Sequence, residues 1–355
     1  MKPLFPLTDR VYNPEEQVSA FGKWLLRFAQ DPRDLPFLYL IFQISVTLIP
    51  LAVLLFVPGL PNGIWWLAAA AYLFLNNIRF KGPFGLMLHC SCHRPIFKKQ
   101  YGFLNHYLPW VIGPLFGQTP ETYYTHHMGM HHAENNQTED RSSTMHYQRD
   151  SWRGFLQYLG TFMFVGIFHM SHYFIQTRKR RFLFRSLRGE IAFFALCIGL
   201  WLVNWPATLV VFVLPFVISR IIMMLGNWTQ HAFVDAQDPG NSYTNSITCL
   251  NTKYNHKCWN DGYHTSHHVR PGLHWTEHPA NFQKNVHKYI QHDSVVFDGI
   301  HFLHVFAWLM TKRYDLLAKN FVNLGDRYRS DEEVIELLKN RTRKIARQQP
   351  ASMAA

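Results

Sequence analysis

The chain has 355 residues, a formal net charge of +12, and aromatic and charged residues in nearly equal share, 16% of each. That balance excludes a disordered, solvated chain and leans toward a membrane protein. The positive charge suits nucleic acid, an acidic substrate or a membrane face; the apolar runs described next favour the membrane, and no nucleic-acid partner is expected.

Residues 1–36 are mixed and polar, with no apolar core, so no cleavable signal peptide is expected. Phe37 to Val57 is long enough to cross a bilayer, and Ile64 to Ile78 follows after only PGLPNG. These define a first hairpin, 37–78. A second hairpin, 191–222, pairs Ile191 to Val203 with Ala207 to Ile222 across NWP. The turns PGLPNG and NWP contain no Lys or Arg, and within the four runs only Arg220 is basic, near the inner end of the fourth. The positive-inside rule then places 1–36, 79–190 and 223–355 on the cytoplasmic face, with both termini there. The expected fold is an all-α, multi-pass membrane protein with four transmembrane helices in two hairpins and a cytoplasmic helical cap.

Between the hairpins, Tyr101 to Gly117 is apolar but broken by prolines and glycines. Phe155 to Ile175 is long enough to span, yet has basic flanks at both ends, so it is placed on the membrane surface or in the cytoplasmic domain. The cluster RKRR at 178–181 is read equally as a headgroup contact or a solvated loop. From Ser330 on, a charged helix is expected, ending in a loose QQPASMAA.

Histidines recur at ligand spacing in the cytoplasmic segments. His89 and His93 stand at i, i+4 in LHCSCHR; His127, His131 and His132, with His126 beside them, stand in YTHHMGMHHAEN. Asn227 and His231 stand at i, i+4 in GNWTQHAF, and GYHTSHH carries His264, His267 and His268. In a helix the last three share a face, so three neutral imidazoles would converge on one point. A lone pair of this kind is more often structural, and the chain has 21 histidines. The joint recurrence on one membrane face is what points to a metal. Nine histidines exceed one ion's shell and suit two ions, with water or Asn227 completing a shell. Imidazole serves Zn, Cu, Fe and Ni alike. A hydrolytic pair of zinc ions normally takes carboxylate ligands, and no box contains Asp or Glu, so iron and oxygen chemistry is favoured. The five cysteines include no CxxC pair and are read as reduced thiols, with a zinc site at Cys90 and Cys92 as the alternative.

At these residues the chain resembles the membrane fatty acid desaturase superfamily, whose boxes read HxxxH, HxxHH or HxxxHH, and HxxHH. His89-CSC-His93, His127-MGM-His131-His132 and His264-TS-His267-His268 match in order and spacing. Asn227-WTQ-His231 and Gly262-Tyr263-His264 match elements of stearoyl-CoA-type desaturases, and the likeness spans about residues 37–280. It implies a four-helix, mushroom-shaped fold and a diiron centre held by the nine histidines. It also implies O₂ as cosubstrate and a fatty acyl or lipid substrate. No HPGG signature of cytochrome b5 occurs, so electrons are expected from a separate carrier of cytochrome b5 or ferredoxin type. The second box has three residues before its doublet where stearoyl-CoA desaturases have two, which leaves His126 or His127 as first ligand; His127 is chosen. Glu134, Asp235 and Asp261 are candidate acceptors behind the ligands, and His274 is a reserve ligand. His301 and His304 are expected to pack or face solvent.

A hydroxylase or ketolase on the same site is the first alternative. A metal transporter or scaffold is the second; a transporter would place polar ligands inside its spans, and these spans hold almost none.

Overall fold

The computed structural model describes residues 1–2 and 6–346, so the QQPASMAA tail lies outside the described residues. After a short α1 (Ala20–Leu25), α2 (Leu35–Leu55) follows a capped turn at Pro32–Asp34. Next comes α3 (Asn62–Phe74), then a π turn over Leu75–Phe80, then α4 (Lys81–His93) without a break. The second apolar run and the first histidine box therefore share one continuous helix.

Among the described residues three helices are long and apolar enough to cross a membrane: Pro32–Leu55, Arg180–Val203 and Trp205–Gln230. Ile64 to Ile78 is not one of them. It is the first part of a helix whose second part carries Arg79, Lys81 and the box. The second apolar pair is longer than the sequence suggests. The helix α7 (Arg180–Val203) begins eleven residues before Ile191 (191 − 180), and α8 (Leu214–Gln230) runs past Ile222 to the NxxxH element. The basic residues Arg185 and Arg188 lie in the first turns of α7 and pair with Glu121.

The remaining segments are helical or short-looped. Tyr101 to Gly117 is a succession of brief helical turns, as its prolines and glycines dictate. The doublet-bearing box opens with α5 (Thr122–His126). Phe155 to Ile175 falls within α6 (Trp152–Gln176), whose Phe164 and Phe168 are exposed, at 81% and 69%. Beyond α8 the chain forms α9 (His264–Val269), α10 (His278–Gln291), α11 (Phe302–Met310), α12 (Tyr314–Asn320) and the charged α13 (Asp331–Arg341). The all-α expectation needs one correction: β1 (Thr248–Leu250) pairs in parallel with β2 (Val296–Asp298). This stretch, ITCL against VVF, is rich in β-branched residues and fully buried, the composition that suits a short interior strand.

Buried polar contacts tie the apolar helices together. Tyr72 Oη shares its one hydrogen between the carbonyls of Leu115 and Val211, at 3.0 and 3.1 Å, and Asn76 Nδ2 donates to Leu115 at 2.8 Å. Asn76 lies in the π turn between α3 and α4, and Val211 in a second π turn, Leu209–Val213. Such turns loosen the regular ladder and leave groups free to pair sideways. Asp31 accepts from Arg33 and from Arg94, each at 2.8 Å, so the start of the first long helix is fastened to the end of α4. The Arg33 hydrogen bond holds the Asp31 carboxyl down at about 2.

Candidate metal centre

Nine imidazoles gather in two adjacent sets. His89, His93, His127, His132 and His267 form one, with ligand atoms all within 4.8 Å of one another; His131, His231, His264 and His268 form the other. The sets touch: the rings of His132 and His268 are 4.9 Å apart and those of His131 and His132 5.8 Å.

The contacts inside each set are between Nε2 atoms. His93 and His132 approach His127 at 2.9 and 3.0 Å, and His132 and His89 both approach His267 at 2.9 Å. In the second set His264 meets His231 at 3.2 Å and His268 at 3.0 Å. These cannot all be hydrogen bonds. A ring nitrogen carries either one proton or one lone pair, and the Nε2 atoms of His127, His267 and His264 each face two partners. The spacing is that of ligands round an ion: a metal–imidazole distance of about 2.1 Å puts neighbouring nitrogens of an octahedral shell about 3 Å apart. The donor set therefore fits two nitrogen-preferring ions.

Local structure explains how each box delivers its rings. His89 and His93 stand one α-helical turn apart on α4, and both enter the five-membered set. The second box contains a π turn over His127–His131, closed by the His132 amide donating to the His127 carbonyl. In a π turn residues five apart return to one face, as residues four apart do in an α-helix. The extra spacer residue is thereby absorbed, and His127 and His132 meet in the same set. His131 points to the other set. The third box corrects a sequence expectation. Its three histidines do not converge on one point: His264 and His268 enter the four-membered set and His267 the five-membered one. The short helix α9 lies between the two.

Gly262 fixes the entry to α9. A Cβ there would lie 2.3 Å from both Asn255 Oδ1 and the Cys249 carbonyl. The same backbone bonds to β1, whose Cys249 amide donates to the Gly262 carbonyl at 2.8 Å. The small parallel sheet thus holds the third box in place. Tyr263 Oη donates to Asp9 at 2.7 Å from a fully buried position.

Groups behind the ligands set the tautomers. His131 Nδ1 donates to Asp140 at 2.8 Å, and His231 Nδ1 donates to the Asn245 carbonyl at 2.7 Å. Each bond leaves Nε2 with its lone pair toward the cluster. Asp261 lies 3.6 Å from His89 Nδ1 and accepts from Tyr254 and Gln230. Glu134 and Asp235 do not serve the ligands: Glu134 accepts from Tyr173 and Asp235 from Arg341. Sequence reasoning missed Asp140. It stands nine residues beyond His131 in a loop of polar residues that has no periodicity to single it out. Among the described residues His264 Nδ1 is buried without a hydrogen-bond partner.

Burial and the neighbouring imidazoles favour the neutral form, the one a metal requires, in seven of the rings. His93 is pushed down to about 3, first by desolvation and then by His89; His231 is pushed to about 3 by desolvation and His131. His127, His264, His267 and His268 are pushed in the same direction by the same causes.

Several residues named from the sequence stand apart from the clusters. His126 pairs with Ser142 Oγ at 3.1 Å and His274 with Asp34 at 3.0 Å. His301 caps α11 and pairs with His304. Asn227 commits its amide nitrogen to Tyr158 Oη at 2.6 Å and to the Ser142 carbonyl at 3.0 Å. Cys90 and Cys92 are free thiols outside both sets, and burial raises them away from thiolate.

A cavity of about 1420 Å³ reaches both sets, with His89, His127, His131 and His264 on its wall. Phe84, Leu88, Phe116, Trp259 and Phe302 supply apolar surface to it.

The fatty acid desaturase family model matches residues 64–299, more than half of the chain, and the protein belongs to that family. It is an oxidoreductase of the fatty acid desaturase type. No curated protein and no solved structure matches it.

Proposed function

We propose that the protein is an O₂-dependent diiron desaturase that introduces a C=C bond into a fatty acyl chain, with electrons from a separate carrier of cytochrome b5 or ferredoxin type. The observation that carries this reading is the pair of all-imidazole sets opening on one apolar cavity. His89, His93, His127, His132 and His267 would hold one ion; His131, His231, His264 and His268 would hold the other. Asn227, its amide nitrogen committed to Tyr158 and Ser142, would have only its amide oxygen left to complete the shell of the second ion, a place that water would otherwise take. Iron bound there would activate O₂, the oxidant that an unactivated C–H bond demands, because such a bond has no acidic proton for a base to remove. The protein's own part is to orient the nine rings through Asp140, the Asn245 carbonyl and Asp261, and to hold the chain in a cavity walled by Phe84, Leu88 and Trp259, away from water.

The reading places two helical hairpins in the membrane. The first long helix pairs with Ile64 to Ile78 and Arg180–Val203 pairs with Trp205–Gln230, the boxes standing at the cytoplasmic ends. The exposed Phe164 and Phe168 of α6 suit a helix lying on the membrane surface. A hydroxylase or ketolase would use the same constellation, since the outcomes diverge only after the first hydrogen is taken.

Lipid profiling by mass spectrometry tests this in a host that expresses the protein with a working electron donor, against a His267→Ala control, together with iron analysis. An acyl product lighter by two hydrogens and absent from the control is expected. A product heavier by one oxygen would move the enzyme to the hydroxylases, and absence of iron would refute the diiron reading.

A further inference from the structure

Lys81 is a buried cation on the wall of the cavity that the histidines open into. It begins α4, eight residues before His89, so it lies about 12 Å along the helix axis on the side of the apolar run. Its Nζ donates to Ser219 Oγ at 2.8 Å, and Ser219 passes its own hydrogen to the Phe116 carbonyl. The Phe116 ring centre is 5.7 Å away. Among the described residues no carboxylate forms an ion pair with Lys81. An ammonium has three donors, and Ser219 takes one.

A cation held in an apolar cavity without a counter-charge is costly. A plain hydrocarbon tail gains nothing from it and would be served better by Leu or Met. We propose that Lys81 receives an acceptor oxygen of the substrate, so that the chain entering this cavity carries a carboxylate, carbonyl or hydroxyl on the bilayer side of the metal centre. The inference rests on the reading of the cavity as a lipid site. Lys81 would then fix which C–H bond reaches the histidines, because the chain is measured off from that oxygen. Burial without a counter-charge pushes the ammonium down to about 7, and an anionic oxygen arriving there would restore its charge.

Binding of palmitate, hexadecanol and hexadecane to the purified, metal-loaded protein tests this, read by the fluorescence of Trp259 and Trp275 on the cavity wall. The wild type is expected to favour an oxygenated chain over hexadecane by about ten- to a hundredfold, the range of a charge-assisted hydrogen bond. Lys81→Met should remove that preference and leave hexadecane binding unchanged. Preference for palmitate alone identifies a carboxylate; preference for hexadecanol as well shows that a neutral acceptor suffices; both support the inference. It is overturned if Lys81→Met keeps the preference, if it weakens all three ligands alike, as a mere tie to Ser219 would, or if none of the three binds. Should Lys81→Met not fold, Lys81→Gln, which keeps a donor and loses the charge, is expected to lose the palmitate preference. Binding needs no turnover, so selective binding without any acyl oxidation would refute the proposed reaction and leave the role of Lys81 standing.

Discussion

Asp140 offers the sharpest test of how the four-histidine set is held. It is 2% exposed, and its two oxygens are fully engaged: Oδ2 with His131 Nδ1 at 2.8 Å, and Oδ1 with the Ser142 amide and hydroxyl at 2.8 and 2.6 Å. Asp140→Asn changes almost no volume. The carboxamide oxygen can keep Ser142, but then the amide nitrogen faces His131 Nδ1, donor against donor. Relief requires His131 to move its proton to Nε2, and that removes its lone pair from the cluster. Loss of such a partner behind a ligand typically weakens metal affinity about 10- to 100-fold, or roughly 1.4–2.8 kcal/mol. The five-histidine set contains no residue that Asp140 touches and should be spared. Metal titration of the stripped protein should therefore give one tight ion in both proteins and a second that is weaker by that factor in the variant. Two ions bound with wild-type affinity in Asp140→Asn would refute the reasoning.

Other outcomes follow from the same geometry. His126→Ala should retain both ions and His127→Ala should lose one, since His126 pairs with Ser142 outside both sets while His127 faces His93 and His132; metal content per chain decides it. Gly262→Ala should cost about 1–3 kcal/mol through overpacking against Asn255 and Cys249, read as a lowered melting temperature in detergent, and an unchanged melting temperature would count against the close approach. The metal-free protein should lose stability in acid. His93 and His231 fall from 6.5 to about 3 on folding, so the unfolded chain binds more protons between those values. Stability should be level above about pH 6.5 and decline as pH drops toward 3; a melting temperature flat across that window would contradict the buried, neutral rings.

Much of the centre was legible because ligand spacing is a local property. His89 and His93 are one helical turn apart, and any helix over those residues brings them together. What could not be read was how the rings divide between the two sets. GYHTSHH looked like three ligands for one metal, yet α9 faces two sets, and only the packing of α4 and the second box around it decides which ring goes where. The π turn at His127–His131 was unreadable for a related reason: helical period is set by a backbone hydrogen bond, not by side-chain pattern. Asp140 and the Asn245 carbonyl lay beyond reach because their pairing is tertiary. The apolar runs gave the long helices, but not their ends, since Arg180 to Arg188 are helical despite their charge and Ile64 to His93 is one helix despite its change of character.

The two histidine doublets acquire a common meaning from this division. His131 and His132 belong to different sets, and so do His267 and His268. Each doublet therefore joins the two sets through a single peptide unit, whose Cα atoms are held about 3.8 Å apart by covalent geometry. Two such links would fix the separation of two ions held by these sets. Separating either doublet should destroy that relation. An alanine inserted between His267 and His268 turns His268 a further 100° or so about the axis of α9, away from His264 and His231. The four-histidine set should lose its ion, while His89, His93, His127, His132 and His267 retain theirs. Two ions still bound after that insertion would mean that the doublets are not what spaces the centre.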